Sequence, residues 1–331
     1  MAILVTGGCG YIGSVTVEAL RKDCRDVVVI DNLCRGHRQA INPDVPFHQG
    51  HVGDVEFVRH VVRKHGVDAC VHFAALAYVG ESVQQPDAYY DNNVGQSCRL
   101  IDSLVAEQVR SFVFSSTCAT YGEPERLPLD EGHSQNPENP YGWTKLFVER
   151  TLERFAFNYG LGYAALRYFN AAGATATRGE DHDPESHLVP LALQVALGRR
   201  DHLTVFGEDY STHDGTCVRD YIHVSDLAQA HIRALDHLAD SGGNLQLNLG
   251  TGTGYSVREV VDTAAQVSGK PIELRSGERR DGDASHLVAD VRRAREQLGW
   301  VADLPELEAI VQSAWDWHRR HPYGYGGGAH V

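Results

Sequence analysis

Tyr141 and Lys145 stand four residues apart in the segment NPYGWTK, residues 139–145. On a helix that spacing sets a phenol and an ammonium on one face, one turn apart. A free phenol titrates near 10, so accepting a proton at neutral pH requires a depression of about three units, or about 4 kcal/mol. At an effective dielectric of about 20, a positive charge about 5 Å away supplies roughly 3 kcal/mol of it. A second cation beside the phenol would complete the depression. For the pair alone, a tyrosine and a lysine on a solvated helix face is the competing explanation. Upstream, the run SFVFSS at 111–116 leads into STCATYG, which sets the hydroxyls of Ser115, Ser116 and Thr117 at the end of an apolar stretch. Thr117, Tyr141 and Lys145 thus make a hydroxyl, phenol and ammonium set of the kind that moves a proton on and off an alcohol.

The elements that would position this set are also legible. Short β-branched runs recur with helix-patterned stretches between them: AILV at 2–5, DVVVI at 26–30, ACVHF at 69–73, SFVFSS, and YAALRYF at 163–169. This alternation predicts an α/β fold, a Rossmann-type doubly wound parallel sheet covered by helices on both faces. Ligands of such sheets bind at the carboxyl edge, where the Ser/Thr run ends. Directly after the first run, TGGCGYIG gives Gly7, Gly10 and Gly13 a G-x-x-G-x-x-G spacing ahead of a helix pattern. Backbone N–H groups in such a turn approach a pyrophosphate, and the helix N-terminus adds favourable partial charge. Asp31 closes the second run, where a carboxylate accepts hydrogen bonds from the adenosine ribose of NAD and repels a 2′-phosphate. NAD is the expected cofactor, with the nearby Arg35 and Arg38 keeping NADP as the alternative. A positive nicotinamide ring would be the second cation beside Tyr141, and its charge disappears once hydride arrives.

From about Asn170 the pattern loosens. GATATRGEDHDPESH reads as a surface loop and marks a boundary. The expected division is an NAD-binding domain over 1–170 with returning segments around 217–250, and a smaller mixed α/β substrate-binding domain over 171–216 and 251–331. LQLNLGTGTGYSVREVV carries strand, turn and helix signals that return the chain to the sheet, with Ser256 as a helix N-cap. The glycine-rich tail from Tyr323 reads as frayed. The chain has 331 residues, is 42% apolar and carries a net charge of -14, which disfavours nucleic acid and anionic membranes as partners. No window approaches the roughly 18 apolar residues of a membrane span, and the opening MAILVTGGCG lacks the basic region of a signal peptide. Seven cysteines, an odd number without a C-x-x-C pair, suggest neither a disulfide framework nor a zinc site. The expectation is a protein of the reducing cytoplasm that binds a small molecule and no metal.

The glycine turn, the Ser/Thr strand end and the Y-x-x-x-K pair resemble the short-chain dehydrogenase/reductase family over the first 170 residues. Further segments extend a more specific resemblance over nearly the whole chain. VDACVHFAALAYVGESV, YYDNNV, LRYFNAAGA, VFGEDYSTHDGTCVRDYIHVSDLAQAH and NLGTGTGYSV are similar to the UDP-glucose (UDP-galactose) 4-epimerases, an extended branch of that family. The resemblance implies NAD-dependent inversion at C4 of a UDP-sugar through a transient 4-keto sugar, with UDP-glucose and UDP-galactose as the pair. It also implies a homodimer, paired through the helices after YYDNNV and at Tyr141.

The same resemblance assigns residues. Gly7, Gly10, Tyr11 and Ile12 would line the dinucleotide turn, Asp31 and Asn32 hold the adenosine ribose, and Asp54 and Val55 reach the adenine. Phe73, Ala74 and Asn92 would line the cofactor cleft, with Tyr168 near the nicotinamide. Thr117 and Tyr141 would flank the sugar 4-hydroxyl, and Lys145 would bridge Tyr141 and the nicotinamide ribose. Asn170, His187, Leu188, Phe206, Arg219, Arg280 and Asp283 would form the substrate side, with the two arginines on the diphosphate and Asp283 on the uridine ribose. Three positions depart from the family pattern: Ala77 replaces a common lysine, His187 a common asparagine, and Leu287 a bulky tyrosine that excludes N-acetyl sugars in some members. UDP-GlcNAc and UDP-GalNAc therefore stay open as substrates. AYVGES, STCATYGEP and HPYGY also resemble UDP-arabinose (UDP-xylose) 4-epimerases. A non-catalytic NAD-binding scaffold would be marked by loss of Thr117, Tyr141 or Lys145, and all three are present.

Overall fold

A computed structural model of the chain describes residues 2–241, 243–280 and 283–326. The first half alternates as the apolar runs predict: β1 (Ala2–Thr6), α1 (Tyr11–Lys22), β2 (Asp26–Asp31), β3 (Phe47–Gln49), α2 (Val55–His65) and β4 (Val67–His72). It continues through α3 (Val79–Gln84), α4 (Pro86–Tyr89), α5 (Ser97–Ala106), β5 (Ser111–Thr117), α6 (Pro140–Tyr159) and β6 (Gly162–Tyr168). The second half contributes β7 (Asn170–Ala172), α7 (Leu188–Ala196), β8 (Leu203–Phe206), β9 (Val218–His223), α8 (Val224–Ser241) and β10 (Leu245–Leu249). It ends with β11 (Gly254–Ser256), α9 (Val257–Ser268), β12 (Leu274–Gly277), β13 (His286–Leu287), α10 (Arg292–Leu298) and α11 (Leu307–Arg320).

Seven strands pair in the order β10-β6-β5-β4-β1-β2-β3, all parallel. Both faces are apolar because alternate residues of each strand meet a different helix layer. Ile3 and Val5 of β1 pack with α1 and α8, for example through Leu20 and Leu235. Leu4 points the other way, into the layer of α2, α5 and α6, with Val61, Leu104 and Leu152. This is a Rossmann-type sheet, and its connections run outward in both directions from β1 and β4. A crevice opens at the carboxyl ends where the direction reverses.

After β6 the chain builds a smaller assembly. β7, β9, β11 and β13 form a four-stranded mixed sheet, and β8 pairs with β12. The segment LQLNL does return to the large sheet, as β10 beside β6. Ser256 caps α9 in a capping box: its hydroxyl accepts from the Glu259 amide while the Glu259 carboxylate accepts from the Ser256 amide. Two expectations need correction. The segment read as a surface loop between β7 and α7 is tied down, since Gly179 packs on Trp317 and Glu180 is buried. The tail from Tyr323 is docked through Tyr325, whose hydroxyl accepts from the Gly179 amide and whose ring packs on Trp317. The rest of that tail, 327–331, lies outside the described residues.

Candidate active site

A cavity of about 440 Å³ lies at the carboxyl ends of β1, β4, β5 and β6 and extends to the small sheet. Its floor at one end is the glycine turn. Gly7 has φ +68°, and a Cβ there would meet the Ala74 backbone nitrogen at 2.6 Å. A Cβ at Gly13 would stand 2.2 Å from the Gly7 carbonyl oxygen, so only glycine lets α1 start so close to β1. The N-terminus of α1 is capped by Gly10 without a side chain, and no acidic residue occupies the first turn. Its free amide groups therefore suit an anion. Asp31 accepts from the amides of Cys9, at 2.9 Å, and Leu33, at 2.8 Å, which fixes the carboxylate beside the turn and leaves lone pairs for hydroxyl donors. Burial raises the Asp31 carboxyl above its ordinary value while the two amides pull it back. Arg35 is engaged by Glu81 at 2.7 Å and Arg38 stacks on Phe47 at 4.9 Å, so both arginines already have partners. These features fit a dinucleotide with free ribose hydroxyls.

The wall between the sheets carries Thr117, Tyr141 and Lys145, the residues expected to move the proton. α6 begins under an N-cap from Asn139, whose side chain accepts from the Gly142 amide, and this fixes the first turn that holds Tyr141. Thr117 ends β5 beside Tyr141; burial pushes the phenol up to about 12, against the smaller opposing effect of the Thr117 side chain. Lys145 is buried, donates to the Ser115 carbonyl oxygen at 2.7 Å, and lies 5.8 Å from the centre of the Tyr141 ring. Burial brings its pKa down to about 7 against the pull of Glu149. The depression asked of Tyr141 is therefore about five units rather than three. The protein's own residues do not reach it alone, because desolvation acts against both charged forms at once. Tyr168 is held by its hydroxyl on Ser115.

Most residues expected at the site line this one cavity: Gly7, Gly10, Tyr11, Ile12, Asp31, Asn32, Phe73, Ala74, Asn92, Thr117, Tyr141, Lys145, Tyr168, Asn170, His187, Leu188, Arg219 and Asp283, with Ala77 and Leu287. Arg219 and Asp283, both assigned to substrate, face each other at 3.3 Å. Four assignments fall outside the lining. The Asp54 side chain accepts from the Phe57 amide as the N-cap of α2, with Val55 starting that helix; Gly50 and Val52 line the wall instead. Phe206 and Arg280 stack on each other at 4.0 Å, off the lining.

Two features escaped sequence reasoning. Arg167, next to last in β6, is buried against Glu149 of α6 at 2.5 Å, with Tyr121 and Asn248 extending the network. Glu149 follows Lys145 by one helical turn, so the pattern Y-x-x-x-K-x-x-x-E was the available signal. The second is a cluster of Glu180, His182, Glu185 and His187 between β7 and α7. Its signal lay in histidine and glutamate spacing rather than in cysteines.

Residues 3–250 match the NAD dependent epimerase/dehydratase family. The chain is 49% identical to a UDP-glucose 4-epimerase of Halalkalibacterium halodurans over 327 residues, 98% of each chain. Among solved structures it is similar to a UDP-glucose 4-epimerase from Brucella ovis in complex with NAD, at 47% identity and a TM-score of 0.92, covering 95% of this chain and 97% of that one. A UDP-glucose 4-epimerase from Stenotrophomonas maltophila with bound NAD and formylated UDP-arabinopyranose is 40% identical with a TM-score of 0.93, covering 97% of this chain and 99% of that one.

Proposed function

The chain belongs to the NAD dependent epimerase/dehydratase family, and from that premise we propose that it is an NAD-dependent UDP-sugar 4-epimerase interconverting UDP-glucose and UDP-galactose. The observation that carries this reading is the convergence of the glycine turn, Asp31, Thr117, Tyr141 and Lys145 on one cavity that also contains Arg219 and Asp283. Gly7, Gly10, Tyr11 and Ile12 would hold the pyrophosphate of NAD, and Asp31 with Asn32 its adenosine ribose. When bound, NAD supplies a hydride acceptor at C4 of the sugar and a positive ring that adds to the field of Lys145.

Tyr141 takes the proton of the 4-hydroxyl as that carbon is oxidised, with the Thr117 hydroxyl beside it in the same cavity. After the 4-keto sugar has turned over, Tyr141 returns the proton to the alkoxide formed on the opposite face. Lys145, held on the Ser115 carbonyl, stabilises the phenolate before the first step and after the second, and between them Tyr141 is a neutral phenol that keeps the proton. Arg219 and Asn170 would hold the diphosphate, with Asp283 on the uridine ribose, so the grip falls on UDP while the hexose stays free to rotate. A second reading, turnover of the N-acetyl sugars, is favoured by Leu287, which lines the cavity and leaves room there.

The protein would act as a homodimer in a reducing compartment. Its seven cysteines are all free, and no helix of the described residues is long and apolar enough to cross a membrane. The test is to incubate purified protein separately with UDP-galactose, UDP-xylose and UDP-GlcNAc and resolve the nucleotide sugars by chromatography. UDP-glucose should form from UDP-galactose, and Tyr141→Phe should keep NAD and lose turnover by about 100-fold or more. If no 4-epimer pair interconverts, the reading fails.

A further inference from the structure

The connection between β7 and α7 runs along the cavity wall and is fastened on its other side. Arg35 donates to the Asp183 carbonyl oxygen at 2.8 Å, His37 to that of Asp181 at 2.8 Å, and the Tyr325 amide to the Asp181 carboxylate at 2.8 Å. Within this connection one oxygen each of Glu180 and Glu185 and one ring nitrogen each of His182 and His187 lie within 4.8 Å of one another. His187 Nδ1 is 2.7 Å from Glu180 and 2.8 Å from Glu185, and His182 Nδ1 is 3.0 Å from Glu180.

Charge balance is the second observation. The two carboxylate side chains are only 5% and 6% exposed, and neither forms an ion pair with a lysine or arginine among the described residues. Two buried negative charges in one small space need a positive partner between them, which a protonated His187 or a bound cation can supply. Besides the backbone amides of Ser186 and His187, which donate to Glu185, the groups facing them are the imidazoles of His182 and His187, which ligate metals through a ring nitrogen.

We propose that Glu180, His182, Glu185 and His187 form a binding site for a divalent transition-metal cation of the zinc class. Bonds of about 2.0–2.2 Å in a tetrahedral site place neighbouring donor atoms roughly 3.3 Å apart. That separation falls between the 2.7 Å contact and the 4.8 Å outer span of this cluster, so side-chain adjustment alone closes it on a metal. Mixed imidazole and carboxylate donors select zinc or cobalt over magnesium and calcium, which prefer six or more oxygens. The bound cation would lock the connection against the cavity wall that Glu180, His182 and His187 line. The site shares His187 with the substrate side that the resemblance implies, so its test reads metal binding and not turnover.

Its test is a cobalt(II) titration of the full chain after dialysis against a chelator, reading the intense visible bands of tetrahedral cobalt, followed by displacement with zinc. His48 and His65 have ring nitrogens 2.8 Å apart and would take metal adventitiously, so the titration is made in a His65→Ala background. One equivalent should bind with tetrahedral bands and be displaced by zinc. Affinity should fall on the order of 100-fold in both His182→Ala and Glu185→Gln, with circular dichroism unchanged. Absence of tetrahedral bands, or bands that persist unaltered in both variants, would overturn the proposal.

Discussion

At the scale of single residues, the proposed proton transfer would depend on how α6 arranges three groups one turn apart. As the base, Tyr141 would need a neighbouring positive charge, Lys145 would provide it, and Glu149 favours the protonated form of Lys145. Burial has already brought the lysine down to about 7, with the carboxylate opposing that fall. Removing the carboxylate lowers the lysine further, so ammonium is lost at a lower pH. Turnover of Glu149→Gln should accordingly decline on the alkaline side at lower pH than in the parent, by about tenfold for each unit the lysine falls. A pH profile of kcat checks this, and an unmoved alkaline limb counts against it. Tyr141 and Lys145 could be read together because they stand one helical turn apart, and Thr117 because it ends an apolar strand run. Glu149 and Arg167 were not paired in the sequence reading because α6 and β6 meet only after folding. A charged residue inside the apolar run YAALRYF was the clue that a buried partner existed.

At the scale of elements, the glycine turn sets how closely α1 approaches β1. Gly13→Val would drive its side chain into the Gly7 carbonyl, where even a Cβ stands at 2.2 Å. The variant should lose co-purified NAD, measured by absorbance after denaturation, and about 1–3 kcal/mol of stability by urea titration. Retention of stoichiometric NAD would show that α1 moves away without harm. The strands of the large sheet could be read directly, because strands buried on both faces become continuous apolar runs. The small sheet could not: β7, β11 and β13 have two or three residues each and no periodicity to detect. The connection before α7 was misread for a different reason. Its polar composition suggested solvent, whereas its polar side chains face one another and its glycine admits Trp317.

At the scale of the whole molecule, α6 exposes an apolar face on the side away from the cavity. Phe147 is 43% exposed and packs beside Trp143 and Tyr90, itself 37% exposed on the adjoining segment. This face is where the homodimer would pair, and Phe147→Asp should yield monomers in sedimentation velocity while the parent sediments as a dimer. A parent that runs as a monomer would refute the pairing. The strand order has a consequence of another kind. β6 has β5 on one side and waits for β10 on the other, and about 80 residues must be synthesised between them. At about 5–20 residues per second, the edge of β6 stays unpaired on the ribosome for roughly 4–16 seconds. Throughout that interval Ala164, Ala165 and Leu166, buried in the finished protein, present open backbone groups to other nascent chains. Translation speed over this stretch, and chaperone cover during it, should govern how much of the protein is recovered soluble.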